Sequence, residues 1–136
     1  MFKTSQFKKN RIVSFSQDWN EKLSCNSFST IRLKNTSKYV KGEKYLIMLK
    51  IPGSGVYESL GVATLVGSSN FTLDQISASM SYLDADMPAT NLRSMLHTMY
   101  KNKVSDTRSA FFNMLVFRWD FKEINFYQRL FPNHFT

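Results

Sequence analysis

From Phe111 to Phe121 the chain sets Phe111, Leu115, Phe117, Trp119 and Phe121 at one parity and Phe112, Met114 and Val116 at the other. Successive side chains of a strand point to opposite faces, so this strand is apolar on both sides for most of its length. Such a strand belongs in the middle of a sheet and not at its edge. Its neighbours are predicted at Thr30 to Leu33, Tyr45 to Leu49 and Leu60 to Val66, runs rich in β-branched and aromatic residues. The last two are joined by Ile51-Pro52-Gly53-Ser54-Gly55, whose proline and glycines mark a hairpin-like connection. In the third run Gly61 and Ala63 put small side chains on one face, leaving room for a neighbouring element or a ligand.

Between these strands the period changes. Thr72 followed by Gln75 is a capping-box pattern, and Leu73, Ile76 and Met80 carry helical spacing to about Tyr82. The Asp84-Ala85-Asp86-Met87-Pro88 segment breaks that helix. Leu92, Met95, Leu96 and Met99 then form the apolar stripe of a second helix, from near Asn91 to Tyr100. Earlier, Ile12, Val13 and Phe15 read as a short extended segment, and Ser16 or Asp18 caps a helical turn bearing Trp19, Lys22 and Leu23. The expected fold class is α+β, a small barrel of five to six strands with two or three helices packed at one side. Residues 1–10 read as a flexible basic arm and 11–121 as the domain. Residues 122–136 are an aromatic extension with Phe126, Tyr127, Phe131 and Phe135, expected to pack back on the domain or to form a partner interface.

Charge narrows the class of partner. Residues 1–50 hold eleven Lys and Arg against three acids, and the rest of the chain holds seven of each sign, so the formal net charge of +8 lies in the first fifty residues. A positive field of this kind attracts polyanions, with nucleic acid the commonest. The single cysteine, Cys25, has no internal partner, and no Cys-x-x-Cys or closely spaced His pair exists to hold zinc. His97 and His134 are the only histidines, which leaves little for His-based catalysis. We therefore expect no metal and no cofactor. No window has the length and apolarity of a membrane span or a signal peptide, so the expected setting is cytoplasmic with no membrane partner.

The segment Ser27-Phe28-Ser29-Thr30-Ile31-Arg32 concentrates the binding chemistry. Thr30 and Arg32 share a strand face while Ile31 and Leu33 point into a core. A hydroxyl beside a planar fork of donors suits a phosphate or the polar edge of a base. Followed by the Lys41-Gly42-Glu43 turn, this string resembles the signature of the ASCH family, a branch of the PUA-like RNA-associated folds. The similarity continues through Gly61-Val62-Ala63, the helix start at Thr72-Leu73-Asp74, the second helix and the closing aromatic strand, over roughly residues 11–121.

The resemblance implies a cleft beside the Thr-x-Arg strand, and some family members are deacylases that use a Lys, a Thr and a Glu on acetylcytidine. The family threonine falls on Thr30 and its arginine on Arg32. The lysine position is Ser27, and the acidic position falls on Asp84 or, alternatively, Asp86. A serine hydroxyl is neither a base nor a charged stabiliser of an oxyanion, so catalysis requires a lysine from elsewhere, with Lys22 and Lys34 the candidates.

The leading expectation is thus an RNA- or nucleotide-binding module. Its ligand-contacting residues are Thr30, Arg32, Ser27, Lys22, Lys34, Lys38, Lys41 and Trp19, within a field to which Lys44 adds. Trp19, Phe28 and Tyr39 are of a kind that stacks on bases or fills a core. One alternative is an amidohydrolase acting on an acylated nucleoside, with Thr30 and Asp84 catalytic. The other is a protein-interaction domain using the aromatic tail.

Overall fold

The computed structural model describes residues 6–123. The expected extension from Ile124 onward, and the first half of the basic arm, lie outside the described residues. The fold is α+β: a curled, half-barrel sheet of five strands with two α-helices. The strands are β1 (Ile12–Phe15), β2 (Ser27–Leu33), β3 (Lys44–Lys50), β4 (Tyr57–Phe71) and β5 (Phe112–Lys122). Their order in the sheet is β1-β3-β4-β5-β2, with β1 parallel to β3 and every other pair antiparallel. The doubly apolar β5 is interior, flanked by β4 and β2, as its pattern requires. The two edges are β1 and β2.

Curvature has an identifiable source. The pairing shifts register at Ile47/Met48, at Val62/Ala63 and at Leu65/Gly67, and each such irregularity bends a strand and increases its twist. Gly61 sits at φ +149°, where an added Cβ would stand 2.0 Å from the Phe121 carbonyl oxygen. The smallness of Gly61 serves a neighbouring strand and not a ligand. At 15 residues, β4 is longer than the Leu60 to Val66 run, because polar Ser68, Ser69 and Asn70 still pair with β5.

Two apolar clusters cover the two faces of the sheet. One joins residues from all five strands, among them Phe15, Phe28, Tyr45, Leu60 and Phe117, with Leu23 added from a 3-10 turn (Trp19–Ser24). Phe28 stacks on Phe117 at 5.5 Å between centroids and touches Trp119 at 5.1 Å, so it is core and not a base platform. The opposite face carries Ile31, Phe71 and Phe112 against α1 (Ala78–Ala85) and α2 (Ala89–Tyr100).

The expected helix from Thr72 to Tyr82 is corrected. The capping box is present, but it caps only a 3-10 turn, Leu73–Gln75. The chain then extends at Ile76, and Ser77 caps α1 afresh by accepting from the Met80 amide. Leu73 and Ile76 belong to the core through this turn, so their spacing imitated helical periodicity without an α-helix.

Candidate functional site

A half-barrel has a mouth between its two edge strands. Here β1 and β2 face one another across a cleft lined by Ser14, Phe15, Trp19, Lys22, Thr30 and Arg32, with Asp84 and the α2 residues Leu92, Met95, Leu96 and Met99 on its far wall. Its volume is about 260 Å³, just under the range of roughly 300–1,000 Å³ usual for small-ligand pockets. One heterocycle fits; a duplex does not.

Thr30 and Arg32 stand on the same side, as the strand period requires. The Arg32 Nε donates to Thr30 Oγ1 at 3.0 Å and its Nη2 donates to the Ser14 carbonyl at 2.8 Å. Its guanidinium carbon lies 4.9 Å from the centroid of the Phe15 ring. Arg32 therefore stitches the two sheet edges together and is oriented before any ligand arrives. Arg32 forms no ion pair with Glu43 or Glu58; Glu43 faces Arg11 at 3.8 Å. Thr30 is only 5% exposed. Because its oxygen already accepts from Arg32, its hydroxyl proton can serve another acceptor.

Lys22 and Asp84, sixty-two residues apart in the chain, meet beneath this strand. The Lys22 ammonium donates to Asp84 Oδ1 and to the Asp84 carbonyl, each at 3.0 Å, and the Ser29 hydroxyl donates to the same Oδ1 at 2.7 Å. Both side chains are buried, at 8% and 7% exposure. Burial, reinforced by the Arg32 charge, pulls the Lys22 pKa below the ordinary lysine value, and Asp84 opposes that shift only in part. Local structure delivers both groups. The 3-10 turn that carries Lys22 is pinned where the Leu23 amide donates to Asp18 Oδ1 at 2.9 Å, and it places Glu21 at φ +52°. Asp84 occupies the last turn of α1, which closes on Asp86 in the left-handed region at φ +53°. A non-glycine residue held at positive φ beside each site residue is the pattern of backbone conformation imposed by its surroundings.

Of the remaining expected site residues, Ser27, Lys34, Lys38 and Lys41 do not line the cleft. Ser27 is exposed at the start of β2, opposite Arg118, and does not line the cleft. Lys34 lies over the Phe111 ring at 5.7 Å, Lys41 is exposed in the turn before β3, and Lys44 pairs with Asp120 at 3.1 Å. Of the candidates Lys22 and Lys34, Lys22 reaches Asp84 and Lys34 does not. Asp86 is exposed, so Asp84 is the acid of the cleft. Trp19 lines the mouth, and Tyr57 from β4 joins it there. Sequence reading missed Ser14, Ser29 and the methionine wall; only the spacing of Met95 and Met99 on α2 hinted at the last. His97 points to the opposite side of α2, its Nδ1 2.6 Å from Thr107 Oγ1.

Among the described residues no group of three His, Cys, Asp or Glu side chains is placed to hold a metal, and no helix is long and apolar enough to cross a membrane. Comparison with protein-family models, with curated proteins and with solved structures found no match.

Proposed function

We propose that this chain is an ASCH-like, PUA-like module that binds a nucleotide or a single-stranded RNA residue, receiving one base in the cleft between β1 and β2. The observation that carries this reading is the convergence of Thr30, Arg32, Lys22 and Asp84 on one base-sized space. A base presents alternating donors and acceptors along its edge, and the cleft answers with a free hydroxyl proton, an oriented guanidinium and a carboxylate. Trp19 and Tyr57 at the mouth and the methionines of α2 supply apolar faces for its ring. Titration of nucleosides and oligoribonucleotides against Trp19 fluorescence tests it. Replacing Arg32 by Ala should weaken binding about tenfold or more, the loss of one charge-assisted hydrogen bond. Unchanged affinity would remove the strand from the interface.

The amidohydrolase reading is favoured by a separate observation, the arrival of Lys22 at Asp84 in spite of the serine at position 27. In that chemistry water adds to the acyl carbonyl as Asp84 accepts its proton, the Lys22 ammonium and the Thr30 hydroxyl stabilise the developing oxyanion, and the same proton passes to the nucleoside nitrogen as the C–N bond breaks, releasing the carboxylic acid. Incubation with acetylcytidine and chromatographic separation of cytidine and acetate is decisive. Absence of turnover above background at high protein concentration leaves binding as the sole activity.

A further inference from the structure

The cleft changes character from floor to rim. Thr30, Lys22 and Asp84 are buried, whereas Tyr57 and Met99, which line the same space, are 40% and 54% exposed. The apolar stripe of α2 runs outward along that wall: Leu92 and Leu96 are buried, Met95 is half-buried and Met99 stands in solvent. One exposed apolar side chain is ordinary, but two from separate elements lining a single cavity form a patch that marks an interaction site.

The aromatic groups at this rim are unspent. Among the described residues neither Trp19 nor Tyr57 enters an aromatic pair or a cation–π contact, and neither the indole N–H nor the phenol hydroxyl makes a hydrogen bond. Tyr and Trp ordinarily commit that polar tip to a partner when they pack inward. A cation accompanies the rim. Lys50 is the direct partner of Tyr57 in the β3–β4 ladder, and paired residues project to the same face with Cβ atoms roughly 4.5–5.5 Å apart. Lys50 is exposed, and the ion pairs formed among the described residues do not include it; Asp18 and Glu21 line a neighbouring groove with it without pairing to it. A ring and an ammonium thus stand side by side at the edge of a space that holds one heterocycle.

We propose that Tyr57, Met99 and Lys50 form a second nucleotide subsite at the rim, so that the ligand is a single strand of RNA and not a mononucleotide. This rests on the base-binding reading for the residue inside the cleft. With a volume of about 260 Å³ the cleft is filled by one base, so the next residue of the strand lies at the rim. Its base stacks on Tyr57 against Met99, and the phosphate that joins the two residues meets the Lys50 ammonium as a point charge. A ring face accepts any base, so the floor sets the sequence preference and the rim adds affinity.

Calorimetric titration with the common ribonucleosides, their homodinucleotides, and the same dinucleotides made abasic at one position or the other isolates the second base. An intact dinucleotide should bind about fivefold or more tightly than the tighter of its two abasic forms, the effect of one stacked base. Tyr57→Ala should bring that ratio to about one. Met99→Ala should lower it as well, and because Met99 belongs to a different element the two losses together are not damage to β4. Phe111→Ala, which removes an exposed aromatic outside the cleft, should preserve the ratio. Lys50→Gln should reduce the slope of log K against log salt for the dinucleotides by about 0.7, one phosphate contact. A ratio of one in the native protein with nucleosides bound, or equal effects of Tyr57→Ala and Phe111→Ala, overturns the subsite and leaves the base cleft standing. Dinucleotide binding that Tyr57→Ala weakens and Arg32→Ala does not keeps the rim and removes the base reading. Self-association in sedimentation that Tyr57→Ala abolishes, with a ratio of one, gives the rim to a second copy of the chain and overturns the proposal. No binding by any probe overturns both.

Discussion

Lys22 and Asp84 are two charges taken out of water, and their value depends on each other. Removing one partner of such a pair leaves an uncompensated buried charge, at a cost of roughly 3–5 kcal/mol. Asp84→Ala and Lys22→Met should each lower the free energy of unfolding in urea by about that much, whereas the double variant Lys22→Met/Asp84→Leu should recover most of the loss. The amine also imposes a pH dependence. Its folded pKa lies below that of the unfolded chain, so between the two values the unfolded state binds more protons and stability rises with pH. Below the folded value the burial penalty is constant; above the unfolded value the gain is complete. A series of alkaline urea denaturations should show this positive slope in the native protein and not in Lys22→Met. At this scale the sequence was half legible. Thr30 and Arg32 follow from strand parity, whereas Asp84 was named only through the family resemblance, and the structure sets it in the last turn of α1. The identity of the lysine was not legible, because Lys22 reaches the acid only through a 3-10 turn whose geometry no periodicity announces.

Among the elements, α1 has the least support of its own. It spans eight residues, below the length at which helices persist alone, and Ser77 caps its first turn at 3.1 Å from the Met80 amide. Ser77→Ala should cost about 1 kcal/mol of stability. Because Asp84 rides on the last turn of the same helix, the variant should also weaken ligand binding, a coupling that parallel denaturation and titration would expose. Gly61 is the opposite case, a residue held by close approach of the next strand. Its backbone conformation alone costs a substituted residue on the order of 1–3 kcal/mol, and the Cβ would overlap the Phe121 carbonyl. Gly61→Ala should therefore unfold at distinctly lower urea, by more than about 3 kcal/mol, or fail to fold. The small-residue face of β4 was visible in the sequence, but whether a strand or a ligand came near it was not.

For the molecule as a whole, the field of the first fifty residues sets the encounter with any polyanion. Affinity for single-stranded RNA should fall steeply with salt, with about 0.7 in the slope of log K against log salt for each phosphate that the protein neutralises. A flat salt response would show that the net charge of +8 serves only solubility. The sheet order explains why that field and the cleft coincide: β1, β2 and the loop after β2 all come from the basic first fifty residues, and they meet at the open mouth of the half-barrel. Of the acids of the later sequence, Asp84 enters the cleft and meets Lys22 there, while Asp120 pairs with Lys44.

The order of amino acids was enough to dictate the interior place of β5, the shared face of Thr30 and Arg32, the stripe of α2 and the lopsided charge, because each is a matter of local period or composition. Only the folded chain could make β1 and β2 the facing edges, carry Arg32 across them to Ser14, and bring Lys22 to Asp84. Those contacts join segments far apart in the chain, and their register depends on bulges and on a left-handed turn whose conformations neighbouring strands and helices impose.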